Sequence, residues 1–201
     1  MAIVELRGNT ELRMAMRRFA PDLEKNLRKE MASGLKPVVR AARGFVPADS
    51  PMSGWAARSF SEGRFPTYNA RVIQKGITYS TSVSKKSKYG FTSMASIKNK
   101  SAVGAIYETA GRKNPNGQPW VGPQGTGTGK GVSRSPNPKA GQQFIANLPP
   151  LVSSLQGQGR LIYRAWAEDK GRAHNIVMKA IDKTVTEFYA RAASKSLGRA
   201  A

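Results

Sequence analysis

Thirty consecutive residues, 111–140, contain seven glycines and five prolines, a composition that denies the middle of this chain a long helix or a central strand. A connection of that length without regular structure is uncommon in a compact domain and is usually functional or disordered. The segment carries Arg112, Lys113, Lys130, Arg134 and Lys139 and no acidic residue. Just before it stands Glu108, the single carboxylate against fifteen Lys and Arg between residues 63 and 167. Three readings fit a lone acid beside a long basic loop: a catalytic carboxylate, a nucleic-acid-binding arm, or an assembly device.

Ordered structure must lie on the flanks. Leu12, Met16 and Phe19 recur at helical spacing over residues 10–20, and Pro21-Asp22 opens a second pattern. There Leu23, Leu27, Met31, Leu35, Val38, Ala42 and Phe45 form one apolar stripe, which Pro37 is expected to kink and Val46-Pro47 to stop. Residues 48–68 read as a structured loop whose aromatics, Trp55, Phe60 and Phe65, need cover. The β-branched alternation of residues 71–83 predicts a strand with a bulge or turn at Lys75-Gly76, and residues 89–98 a second. Short helices are expected over residues 101–109 and 141–148. Residues 160–194 form the longest helical pattern, with Gly171 its weak point. The fold class expected is α+β: long N-terminal and C-terminal helices packed on a small antiparallel β-sheet, with the Gly/Pro-rich basic loop between. The length of 201 residues suits one domain, with residues 111–140 an extended loop or arm.

Composition removes several chemistries. There is no cysteine, and His174 is the sole histidine, in a helical pattern with no nucleophile-elbow sequence anywhere. Glu168-Asp169 is the one adjacent acidic pair, but helical neighbours point about 100° apart, and Lys170 and Arg172 beside them suggest surface ion pairs. The stretch Gly125-Thr-Gly-Thr-Gly-Lys-Gly131 departs from a phosphate loop: Gln124 holds the first glycine's place and Gly131 that of the Ser or Thr. No catalytic residue, metal site or cofactor is expected. No apolar run is long enough to span a membrane, and the first residues lack signal-peptide blocks, so a cytoplasmic site of synthesis is the expectation.

The net charge of +21, from 33 basic and 12 acidic residues, calls for an anionic partner. The candidates for a basic band facing DNA or an acidic protein are Lys85, Lys86, Lys88, Lys98, Lys100, Lys130, Arg134 and Lys139. Tyr89, Phe91 and Trp120 are interleaved with them. The basic residues are scattered and match no zinc-finger or RNA-binding strand motif, so nucleic-acid binding would be sequence-independent and salt-sensitive.

Several stretches together resemble one family. Lys36-Pro-Val-Val-Arg-Ala-Ala-Arg-Gly-Phe-Val-Pro47 followed by Ser53-Gly54-Trp-Ala-Ala-Arg-Ser59 is similar to the start of the tail-completion (neck) and minor tail proteins of long, non-contractile tailed bacteriophages. In that family a basic helix leads through Val-Pro to a Thr-Gly-x-Leu-x-x-Ser-like turn. Ser53, Gly54 and Ser59 match it, while Ala56 replaces the larger apolar residue. Pro51-Met-Ser-Gly-Trp55, Gly104-Ala-Ile-Tyr-Glu-Thr-Ala-Gly-Arg-Lys-Asn-Pro115 and Gly159-Arg-Leu-Ile-Tyr-Arg-Ala-Trp166 resemble the branch found in phages of actinobacterial hosts. The resemblance implies a virion structural protein without enzymatic activity. It would be a ring, with hexameric symmetry, that contacts other tail and head–tail connector proteins and makes non-specific contact with DNA in the channel. Assembly in the host cytoplasm and residence in the virion tail or neck follow from the same resemblance. Under it Glu108 is an ion-pair partner for Arg112 or Lys113, within the chain or from a neighbour, and Trp120 belongs to an arm that orders on assembly. The alternative function is sequence-independent nucleic-acid binding.

Overall fold

The computed structural model describes residues 9–56, 66–86, 90, 92–125, 131–154 and 157–197. Among them are eight helices and two antiparallel two-stranded sheets, an α+β architecture. The elements run α1 (Asn9–Phe19), α2 (Pro21–Gly44), α3 (Ser53–Ala56), α4 (Ala70–Gly76), β1 (Ile77–Ser80), β2 (Ser96–Asn99), α5 (Ala102–Thr109), α6 (Ala140–Ala146), β3 (Val152–Ser154), β4 (Gly157–Gly159), α7 (Ile162–Asp169) and α8 (Arg172–Leu197). Where chain length suggests one domain, two compact units are distinguishable. The first holds residues up to Arg40, Tyr79–Lys98 and Asp169 onward; the second holds Ala41–Thr78 and Asn99–Glu168.

The first unit is built helix on helix. Met16 of α1, Leu23, Leu27 and Met31 of α2, and Ala180 and Ile181 of α8 form its buried core, with Ala20, between α1 and α2, and Met94 the non-helical members. The apolar residues of α2 return every three or four positions, so one side of the helix is buried and the other carries Lys and Arg. Each of its fully buried leucines contributes about 1.5–3 kcal/mol of apolar burial. α2 and α8 run antiparallel: Asp22 Oδ2 meets Arg191 Nη1 at 2.7 Å, and Glu30 Oε1 meets Lys183 Nζ at 2.8 Å. Gly34 lies against Ile176, where an added Cβ would come within 3.0 Å of Cγ2. The two ion pairs are exposed and fix register more than they add stability. α2 continues through Pro37 as one helix.

Elsewhere the described structure departs from the sequence reading in three places. The stretch predicted as strand at its start, Arg71 to Gly76, is helix α4: the Asn69 side chain accepts a hydrogen bond from the Val72 amide and caps it, and Ile73 is buried. The strand begins only at Ile77. The long C-terminal helical pattern is broken at Lys170 and Gly171, both at positive φ, into α7 and α8. β3 and β4 form a hairpin, Val152 opposite Gly159, that no alternation announces because two of β4's three residues are glycine. The expected helices over residues 101–109 and 141–148 are α5 and α6, the former capped by Ser101, whose Oγ accepts from the Gly104 amide at 3.1 Å.

Candidate functional site

Glu108 stands in the last turn of α5 and is buried, 4% exposed. Its Oε2 accepts a hydrogen bond from the Leu161 amide and its Oε1 one from the Tyr163 amide at 3.0 Å, and the Arg160 and Ile162 amides also favour its charged form. These amides open α7, where the first N–H groups have no partner within the helix and the dipole favours an anion. Gly159 makes room for the carboxylate: a Cβ there would lie 2.4 Å from Oε1. Arg160, equally buried, performs the converse task. Its Nη1 donates to the Tyr107 and Ala110 carbonyls at 3.0 and 2.8 Å, and its Nε to the Pro149 carbonyl. Tyr107 and Ala110 sit at the carbonyl end of α5, where acceptors lack helical donors and the dipole favours a cation. The two elements therefore cap each other, a carboxylate from α5 on the start of α7 and a guanidinium beside α7 on the end of α5. Burial pushes the Glu108 carboxyl above its ordinary range, with the amides of Tyr163 and Leu161 pulling the other way. Burial likewise lowers Arg160, opposed by Tyr107 and Glu108.

An aromatic cluster shares Tyr107 with this lock. Trp55 is fully buried, with Phe144 and Tyr68 edge-on at 4.9 and 5.2 Å between centroids and Tyr107 stacked at 6.5 Å. The indole Nε1 donates to the Pro66 carbonyl at 2.9 Å, and the Tyr68 hydroxyl to the Pro47 carbonyl at 2.6 Å. Burial pushes the Tyr68 phenol up to about 12. The cover expected for Trp55 thus comes from partners 11 to 89 positions away in the sequence. Phe60 and Phe65 lie outside the described residues.

The other sequence-predicted residues are placed as follows. Within the chain Glu108 bonds neither Arg112 nor Lys113: its oxygens accept from the Leu161 and Tyr163 amides. Arg112 donates to the Gln158 carbonyl and stacks over the Tyr163 ring at 4.7 Å, and Lys113 is exposed. Trp120 is half exposed at 47%, with Nε1 donating to the Ser135 carbonyl at 2.8 Å. Beside it the Val121 amide donates to Ser133 and the Ser133 amide to Pro119, so the chain folds back on itself across a single bridge. Gly117, at φ +86°, packs against the α6 backbone, where a Cβ would lie 2.6 Å from the Gly141 carbonyl carbon. The described parts of residues 111–140 are thereby held by their own hydrogen bonds and by α6. Lys100, Arg134 and Lys139 are exposed in the second unit, and Lys85, Lys86 and Lys98 in the first. Lys88, Tyr89, Phe91 and Lys130 lie outside the described residues.

Sequence reading missed a second charged cluster, in the first unit. Arg13, 2% exposed, donates through Nη2 to Glu24 Oε1 at 2.8 Å and through Nη1 to the Thr81 carbonyl at 2.9 Å. Arg28 Nε reaches the same Glu24 oxygen at 2.6 Å and Arg17 Nε reaches it at 3.4 Å. Burial raises the Glu24 carboxyl, but the arginines together outweigh it and hold the group below its ordinary value. The available signal was helical spacing: Arg13 and Arg17 are one turn apart on α1, Glu24 and Arg28 one turn apart on α2.

Most acidic side chains of the described residues are thus tied into the scaffold. Glu108 caps α7; Asp169 Oδ2 accepts from the Ala173 amide in the first turn of α8 at 2.7 Å; Asp22, Glu24, Glu30 and Glu168 are in ion pairs. Asp169 also lies 3.8 Å from Arg172, and Glu168 pairs with Arg164, so the expected surface pairs are joined by a capping role. Among the described residues no three His, Cys, Asp or Glu side chains come together, and no helix is long and apolar enough to cross a membrane. What this segment offers outward is cationic: Arg112, Lys113, Arg134 and Lys139 are exposed, in the same stretch of chain as the half-exposed Trp120. No protein-family model, curated protein or solved structure matches the chain.

Proposed function

We propose that this chain is a non-enzymatic structural protein of a phage head–tail junction, of the tail-completion or minor tail type, acting as a ring between the tail and the head connector. One observation carries the reading. The single carboxylate in the cationic middle of the chain is buried as a helix cap, which leaves the exterior of residues 99–168 without any exposed acid except Glu168. A surface so one-sided in charge suits an anionic neighbour, whether DNA in a channel or an acidic face of an adjoining ring. Cyclic symmetry strengthens it, because closure repeats one patch on every subunit. The likeness of residues 36–59, 104–115 and 159–166 to the phage family supports the same reading. Under it Trp120 and the exposed basic residues of 111–140 contact the next subunit or the next ring.

Negative-stain electron microscopy of the purified, nuclease-treated protein tests the proposal. The expected images are annular particles of one diameter whose class averages have six-fold symmetry. Monomers that stay dispersed at high concentration, or open filaments, would contradict a closed ring.

A further inference from the structure

We infer that the Arg13–Glu24 cluster is a docking site for an acidic segment of a partner protein, with Arg17 and Arg28 receiving one of its carboxylates. Three guanidiniums converge on a single glutamate oxygen, so positive charge exceeds negative at this point of the surface. Arg13 is 2% exposed, and its Nε is a buried donor without a hydrogen-bond partner, so the cluster holds more donor capacity than its described acceptors satisfy. Arg17 and Arg28 reach Glu24 through Nε alone, with side chains 56% and 36% exposed. On each, the pair of terminal nitrogens that chelates a carboxylate has no acceptor among the described residues and can receive an incoming group. Met14, 56% exposed and one helical turn before Arg17 on α1, supplies an apolar contact beside them.

Charge complementarity selects the occupant. A second copy of this chain brings 33 basic residues against 12 acidic, and most of its described carboxylates are already engaged. A nucleic acid presents a row of phosphates, which suits a row of cations better than a cluster with a carboxylate at its centre. An acidic polypeptide offers single carboxylates with apolar side chains between them, which matches the forks and Met14. The inference requires neither a ring nor a virion, so it stands or falls separately from the proposed function.

Fluorescence anisotropy of a labelled peptide of alternating Glu and Leu, titrated with the full chain, is the test. The double variant Arg17→Gln/Arg28→Gln is expected to weaken binding about tenfold or more. The charge-matched Lys85→Gln/Lys86→Gln is expected to weaken it less than about threefold, as exposed charges do. Arg17→Lys/Arg28→Lys retains the charge and removes the fork, and is expected to lose most of the affinity. Because Arg13 still holds Glu24 in all of these, their thermal melts should match the parent within a few degrees. Equal weakening by the two Gln pairs, or full affinity in the Lys pair, would overturn the inference. So would a single-stranded DNA oligomer that depends on Arg17 and Arg28 more steeply than the peptide does.

Discussion

Glu108→Ala is expected to destabilise the second unit by about 3–5 kcal/mol, the range for removing one member of a buried, hydrogen-bonded charge arrangement. The alanine leaves the amides at the start of α7 without an acceptor and leaves Arg160 buried without the negative charge that favours its ionised form. Both losses fall on the same two helix ends, so α5 and α7 should fray together. Glu108→Gln separates shape from charge. It retains one acceptor oxygen and turns one amide group toward donors, a cost of about 1–2 kcal/mol. The pH dependence has a definite sign. A carboxyl whose folded value lies above the ordinary 4.5 contributes stability that is complete below 4.5 and is lost as pH rises through the folded value. The parent's advantage over Glu108→Gln should therefore be larger at pH 4.5 than at pH 7. Glu24 and Asp22, both lowered, act in the opposite sense, losing stabilisation as pH falls, but they are common to both proteins and cancel in the difference. Calorimetric melts of the two proteins across this range measure it; an advantage that grows toward neutral pH would mean that the amides dominate over burial.

Trp55→Ala should cost a similar amount, about 3–5 kcal/mol, by emptying the centre of the aromatic cluster. Three rings, Tyr68, Tyr107 and Phe144, lose their common neighbour, and the Pro66 carbonyl loses its donor. Since Tyr107 adjoins Glu108 on α5, the cavity reaches the reciprocal cap as well as α3 and α6. Trp55→Phe retains part of the volume and loses the indole N–H, so it should fall well short of the alanine loss. Chemical denaturation followed by far-ultraviolet circular dichroism distinguishes the pair. An alanine variant as stable as the parent would remove Trp55 from the core.

How much of this was legible in the sequence depended on distance along the chain. α1, α2, α5 and α6 follow from apolar spacing and from local signals such as Ser101, because a helix bonds its own neighbours. The break at Gly171 was visible as a weak point, although the left-handed turn through Lys170 was not. α4 was misread because Val72 and Ile73 look like strand residues, while the Asn69 cap that decides the outcome is a single hydrogen bond. Glu108 stands out in the sequence as a lone acid, but its partners lie 53 and 55 positions away on backbone amides. Nothing in a local pattern marks a backbone N–H as unoccupied until the helix start and the approaching chain are both known. Gly159 holds the clearest retrospective signal, a residue without a side chain where a carboxylate must fit. The Glu24 cluster was hidden similarly, with each helix showing half of it.

The central claim is that a strongly basic chain, with most of its described acids tied into the scaffold, acts through assembly. The most direct measurement is the absolute mass of nuclease-treated protein by light scattering at low and at high salt. A closed oligomer, free of nucleic acid and unchanged by salt, is the predicted result, since packed interfaces resist screening that weakens phosphate contacts. A monomer that carries nucleic acid until salt strips it away would contradict assembly and establish sequence-independent nucleic-acid binding instead.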